Sequence, residues 1–198
     1  MIIKRIIDIM GAILGITLFL PLVPLIAIAI KLDSVGPVFI KLNRISRGQV
    51  IKAYKFRTMK PDTHRLKYTE LAPLNERHDG PFFKIKNDPR ITRAGKILRK
   101  FRLDEFPQLI NVLNGELSLV GPRPHEPEEV IHYPDQYRDL ILSKAGITGL
   151  SQVSGASSLT YLKELELDSY YIKNQSLWSD LKIILKTLAI LFTDPTAV

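Results

Sequence analysis

The sequence predicts an α+β fold that is mainly helical. A re-entrant membrane helix-hairpin over residues 1–32 precedes a compact cytoplasmic domain over 33–198, which carries a small β-hairpin and interfacial amphipathic helices. Three observations predict it. An uncharged apolar run, Ile9 to Ile30, is interrupted by Pro21 and Pro24. A short alternating segment flanks a turn near Gly48, and helical periodicity recurs through the second half of the chain, punctuated by glycine and proline.

The apolar run is long enough for a membrane element of roughly 20 residues. Signal peptide, spanning helix and re-entrant hairpin compete for it, with a buried core helix as a fourth reading. The run exceeds the h-region of a signal peptide, although Ala27-Ile28-Ala29 has the form of a cleavage site. Lys4 and Arg5 precede it and Lys31, Lys41, Arg44 and Arg47 follow, so the positive-inside rule places both ends on the cytoplasmic face, which a straight span cannot satisfy. The two prolines supply a break at which the chain can turn back, provided the freed carbonyls find partners.

Val38–Lys41 and Val50–Phe56 read as a β-hairpin around Arg47-Gly48-Gln49. Residues 61–81 are polar and turn-rich, and an exposed helix and loop are expected there. Helices follow at about 91–102, 105–114, 126–142, 158–173 and 177–192. The last carries Trp178, Leu181, Ile184, Leu185 and Leu191 on or near one face, which suits a membrane interface or packing against the core.

Composition narrows the partners. With 198 residues, 45% of them hydrophobic, the chain can bury a real core. Its net charge of +8 and pI near 9.6 point to an anionic partner: nucleic acid, anionic lipid or a phosphorylated substrate. The cations flank the apolar run and crowd residues 84–102, as on a protein lying against an acidic inner leaflet. No nucleic-acid-binding motif is recognisable. The absence of cysteine excludes disulfides and thiolate metal sites and agrees with a reducing compartment.

The most informative stretch is residues 98–124, where the acid pair Asp104-Glu105 follows Arg93, Lys96, Arg99, Lys100 and Arg102 and precedes Pro122-Arg123-Pro124. A carboxylate nucleophile or metal ligand there would sit among cations able to neutralise phosphate oxygens. Asp104 is also placed to cap a helix starting near Glu105, with Pro107 tolerated in its first turn. The four histidines lack metal-ligand spacing, and only His125, beside the Pro-Arg-Pro turn, is placed to approach a site.

These motifs resemble the bacterial sugar transferase family, the monotopic polyprenyl-phosphate phosphoglycosyl transferases, in the small form that is the catalytic domain alone. The resemblance runs through Tyr54-Lys55-Phe56-Arg57-Thr58-Met59, Asp88-Pro89-Arg90-Ile91-Thr92, Leu103-Asp104-Glu105, Gly121-Pro122-Arg123-Pro124, Gly146-Ile147-Thr148-Gly149 and Glu166-Leu167-Asp168. It implies transfer of a sugar-1-phosphate from a UDP-sugar to a polyprenyl (undecaprenyl) phosphate with release of UMP. Asp104 would be the nucleophile, Glu105 its assistant, and both would be ligands of a Mg²⁺ cofactor; Arg57, Arg99, Arg123, Lys144 and Asp168 would contact substrate. It further implies a bacterial inner membrane location with the domain facing the cytoplasm, and leaves a homodimer open. Three departures are visible: Leu20-Pro21 replaces the family's Ser-Pro at the bend, Lys144-Ala145 its Arg-Pro, and Leu150 its tryptophan. The alternatives are an inactive membrane-anchored scaffold of the same fold and a basic membrane-associated nucleic-acid binder.

Overall fold

A computed structural model describes residues 2–155 and 158–193. Helix α1 (Ile2–Phe19) and helix α2 (Val23–Asp33) are joined by one 3₁₀ turn, Leu20–Leu22. Pro21 and Pro24 are the second residues of the turn and of α2, within the first turn where a missing N–H breaks little of the helical ladder. Val23 N–H bonds back to Leu20 O, so the turn itself occupies a carbonyl that the prolines leave free. The segment from Ile2 to Asp33 is apolar and long enough to cross a membrane. Only a narrow stripe of it meets the domain: Ala12 packs with Leu109 and Val112, while Phe19, Ile26 and Ile30 pack with Phe56 and Leu98. Ile13, Leu18, Leu25 and Ile28 are exposed.

Both ends of this segment are fastened to the same body. At the start, Arg5 donates to Val112 O (2.6 Å) and Leu113 O (2.8 Å), the last carbonyls of helix α4 (Gln108–Asn114). Buried Asp8 accepts from Ser118 Oγ and from Leu119 N (2.9 Å). At the other end Asp33 accepts from Ala94 N (2.7 Å), and Arg57 donates to Ser34 O (2.7 Å) and Val35 O.

Strands β1 (Phe39–Ser46) and β2 (Gln49–Phe56) form the expected antiparallel hairpin, in register from Phe39↔Phe56 to Ser46↔Gln49. Its turn is Arg47-Gly48, both left-handed (φ 54° and 71°), the geometry that matches the strands' twist. Residues 61–81 contain two 3₁₀ turns, His64–Tyr68 and Ala72–Leu74, in place of the predicted helix. The segment is tied down by Arg77–Glu164 (2.7 Å) and by Asn75, whose side chain bonds to Arg77 and Lys84.

Helix α3 (Arg93–Lys100) starts at Thr92, whose hydroxyl accepts from Gly95 N (3.0 Å). Its packing is tight: a Cβ on Gly95 would lie 2.1 Å from Thr58 O. The predicted helix over 126–142 is instead α5 (Pro127–Val130), a 3₁₀ turn and α6 (Asp139–Leu142). Pro134 disfavours helical backbone at Tyr133 and cannot donate within a helix. The sequence reading missed a second sheet, in which β3 (Ser118–Val120) pairs in parallel with β4 (Gly146–Thr148). Helices α7 (Leu150–Val153), α8 (Tyr161–Lys173) and α9 (Leu177–Thr193) complete the domain. Buried Ile183 of α9 packs with Val120, Val153 and Tyr171, while Trp178, Leu181, Leu185 and Leu188 are exposed. The helix therefore both closes the core and presents an apolar outer face.

Candidate active site

Segments from separate parts of the chain converge on one cavity of about 1500 Å³. After α3 the chain reverses at Arg102, held in the left-handed region (φ 54°), and a 3₁₀ turn, Leu103–Glu105, delivers the acid pair. Asp104 is thus not the N-cap of α4 as expected; Pro107 occupies that position, without a side-chain cap. Phe106 anchors the turn by stacking on Phe19 of α1, ring centroids 4.0 Å apart. The end of β2 supplies Lys55, whose ammonium bonds to Glu105 and lies 3.8 Å from Asp104 Oδ2. Arg99, on α3, donates to Thr58 Oγ1 (3.0 Å) and lines the same cavity.

A second turn carries Arg123. Glycines allow its support to be close: a Cβ on Gly146 would lie 2.1 Å from Gly121 N, and one on Gly149 2.2 Å from Gly121 O. Pro122 O accepts from Gly146 N (2.9 Å), and Arg123 N donates to Asp168 Oδ2 (3.0 Å). With its backbone held on both sides, Arg123 is exposed into the cavity that contains Asp104 and Glu105.

The two carboxyls are pushed apart. Burial raises Asp104 above the usual range and Glu105's charge adds to this, against the opposing pull of Lys55 and Arg99. Glu105 also feels burial, but Lys55 and Arg123 overcome it and hold it below the usual range. Such a split lets one carboxyl stay a fixed anion while the other responds to what binds.

A model of the family described as bacterial sugar transferase matches residues 1–194. The chain belongs to the bacterial sugar transferase family. It is 41% identical over 189 residues to galactosyl transferase CpsE of Streptococcus agalactiae, covering 94% of this chain and 41% of that protein. It is 39% identical over 188 residues to the exopolysaccharide production protein ExoY of Rhizobium meliloti, covering 93% of this chain and 83% of that protein. A Caulobacter vibrioides UDP-glucose:undecaprenyl-phosphate glucose-1-phosphate transferase is 39% identical over 205 residues, covering 98% of this chain and 71% of that protein. The chain thus spans about two fifths of CpsE and larger shares of the other two.

Within this bacterial sugar transferase the remaining candidates take different places. Arg57 is buried and lines the same cavity; its guanidinium donates to Ser34 O and Val35 O, which fixes the end of α2, while its Nε has no hydrogen-bond partner. Lys144 lies outside the cavity. Asp168 touches the site through the backbone of Arg123. Lys55, not singled out from the sequence, is the cation closest to the acid pair; strand alternation puts it on the same side as Arg57, two residues on. His125 is buried and lines the cavity, with Nδ1 bonded to Tyr133 OH. Burial, then the charge of Arg123, lowers it well below the usual imidazole range, so it is neutral near pH 7.

The acid pair offers two adjacent carboxylates on the cavity wall, the kind of oxygen ligand that a hard divalent cation takes. Among the described residues no group of three or more acidic or histidine side chains forms a cage of its own.

Asp168 gives this domain a pH signature. Burial pushes its carboxyl up to about 6, from about 4 in an unfolded chain. The folded protein therefore holds the extra proton between these values. The contribution is fully present below about pH 4, is lost as pH rises through 6, and is absent above, on the order of 3 kcal/mol in all. Asp168→Asn keeps an oxygen for Arg123 N–H and removes the titration. The fall in melting temperature between pH 5 and 7.5 should be smaller in the variant; an unchanged fall would contradict the assignment.

Proposed function

We propose that this protein transfers a sugar-1-phosphate from a UDP-sugar to a polyprenyl phosphate, undecaprenyl phosphate as in the name of its Caulobacter relative, and releases UMP. The observation that carries the reading is a buried carboxylate, Asp104, lining a cavity with Glu105, Lys55, Arg99 and Arg123. An Asp104 oxygen attacks the β-phosphorus of the donor. The bond from that phosphorus to the bridging oxygen breaks, and UMP leaves with the electron pair. The sugar phosphate stays on Asp104 as an acyl phosphate until an oxygen of the polyprenyl phosphate attacks the same phosphorus and the aspartate departs. One site thus serves a soluble donor and a membrane-held acceptor in turn.

Arg99 and Arg123 neutralise phosphate oxygens from two sides, Lys55 orients the acid pair, and Glu105 assists as a cation ligand or as a base. Mg²⁺, when held by Asp104 and Glu105, would offset diphosphate charge. The test is UMP release from a panel of UDP-sugars with Mg²⁺ and undecaprenyl phosphate in detergent. Release that depends on one donor supports the reading and names the sugar; none from any donor by folded protein would overturn it.

The same proposal places α1 and α2 in the cytoplasmic leaflet of a bacterial inner membrane as a re-entrant hairpin, with the domain in the cytoplasm. Support comes from the prolines at the joint, the exposed apolar faces of α1, α2 and α9, and the fastening of both ends of the segment to one body. Basic residues at both ends suit anionic lipid headgroups. Single cysteines at Ile3 and Ser34 should both resist a thiol reagent confined to the periplasm; labelling of either one contradicts the topology.

A further inference from the structure

We propose that His125 and Gln152 read hydroxyls of the donor's sugar, in an arm of the cavity beyond Arg123, an inference that rests on the transfer reaction proposed above. Both side chains line the cavity, and both residues are almost fully buried, at 4% and 6% exposed. Each has one polar atom engaged and one left over. Gln152, on α7, donates from Nε2 to Ile147 O (2.8 Å), which fixes its amide and leaves Oε1 as an acceptor. His125 is held through Nδ1 by Tyr133 OH. Gln152 Oε1 and His125 Nε2 have no hydrogen-bond partner among the described residues. Buried polar atoms are nearly always satisfied, so two unpaired ones on the wall of one cavity call for a ligand that supplies their partners.

The surroundings select a neutral group rich in hydroxyls. The cations of this arm are engaged by its own acids: Arg77 meets Glu164 at 2.7 Å, Arg44 meets Glu126 at 2.9 Å, and Lys67 pairs with the same Glu126. Phosphate oxygens are served instead by Arg99 and Arg123. Arg123 joins the two regions. Burial opposes its charge, but Glu105, then Glu164 and Glu129, outweigh this and raise its pKa, so the guanidinium stands within electrostatic reach of the acid pair and of this arm. A β-phosphate held by Arg123 therefore presents the sugar it carries to His125 and Gln152. A uracil ring would need an open aromatic face, and Phe82 does not offer one: the Arg77 guanidinium lies 5.0 Å from its ring centroid and the His125 ring is tilted against it at 4.5 Å. A hydroxyl both donates and accepts, so it satisfies Gln152 Oε1 as a donor and the neutral His125 in either tautomer.

The test pairs each side chain with one hydroxyl. UMP release is measured for wild type, Gln152→Met and His125→Phe, on the UDP-sugar that wild type uses and on its monodeoxy analogues. UDP, which has the uridine and both phosphates but no sugar, serves as a competing inhibitor. Each variant should lose about tenfold in kcat/KM on the parent donor, the effect of one hydrogen bond to a buried group. The analogue lacking the partner hydroxyl should be about tenfold poorer than the parent with wild type, yet cost the matching variant less than about twofold, because the same contact cannot be lost twice. Inhibition by UDP should stay within about twofold of wild type. The Gln152→Met series decides alone if His125→Phe does not fold. Wild-type kcat/KM in the variants, or penalties that multiply for every analogue, overturns the subsite. Weakened inhibition by UDP does so as well and would put the uridine there. Failure of wild type to release UMP from any donor overturns the transfer reaction instead.

Discussion

Asp104→Asn should eliminate donor-dependent UMP release, lowering kcat by at least about 10³-fold, because the neighbouring carboxylate, Glu105, is engaged by Lys55 and loss of a nucleophile cannot be compensated by binding alone. The fold should survive. The amide is isosteric, the side chain's ion contact with Lys55 is long at 3.8 Å, and burial together with Glu105 disfavours its charge. The variant should melt at or slightly above the wild-type temperature, as happens when a site holds a carboxylate against its environment. Release within tenfold of wild type would remove Asp104 from the nucleophile's role.

Lys55→Met should cost about 10²–10³ in kcat, comparable to deleting one preorganised electrostatic group, and should also move the acid limb of the rate profile. The sign follows from the site. Lys55 is the largest opposing charge on both carboxyls and pulls both down, so its removal raises both, and the limb shifts to higher pH. Lys55→Arg restores a cation with different geometry and should return the limb toward the wild-type position while recovering only part of kcat. Loss of rate with an unmoved limb would mean that Lys55 only braces the turn.

The sequence shows the long apolar N-terminal helix, the β-hairpin, the motifs of the family and the acid pair because each depends on local pattern: an uncharged run, alternation around Arg47-Gly48, a charge cluster. What it hides is tertiary. The pairing of Ser118–Val120 with Gly146–Thr148 involves three-residue strands and depends on backbone approach at Gly121, Gly146 and Gly149, which no periodicity reports. The same pairing decides that Arg123 enters the cavity while Lys144, two residues before β4, does not. Arg57 and Lys55 both line the cavity, two residues apart, and the path of residues 34–35 determines which cation bonds to backbone carbonyls and which meets the acids. Likewise Asp104 has the composition of an N-cap, but the left-handed Arg102 and Pro107 shift the start of α4 and leave the carboxyl to the cavity.

The central claim is the covalent intermediate, and intact-protein mass spectrometry after mixing with a productive UDP-sugar and Mg²⁺ in the absence of any acceptor tests it most directly. The account predicts one added sugar phosphate per chain, mapped to the peptide holding Asp104, formed together with an equal amount of UMP and discharged when undecaprenyl phosphate is added. UMP that appears only once acceptor is present, with no adduct on the protein at any time, would contradict it.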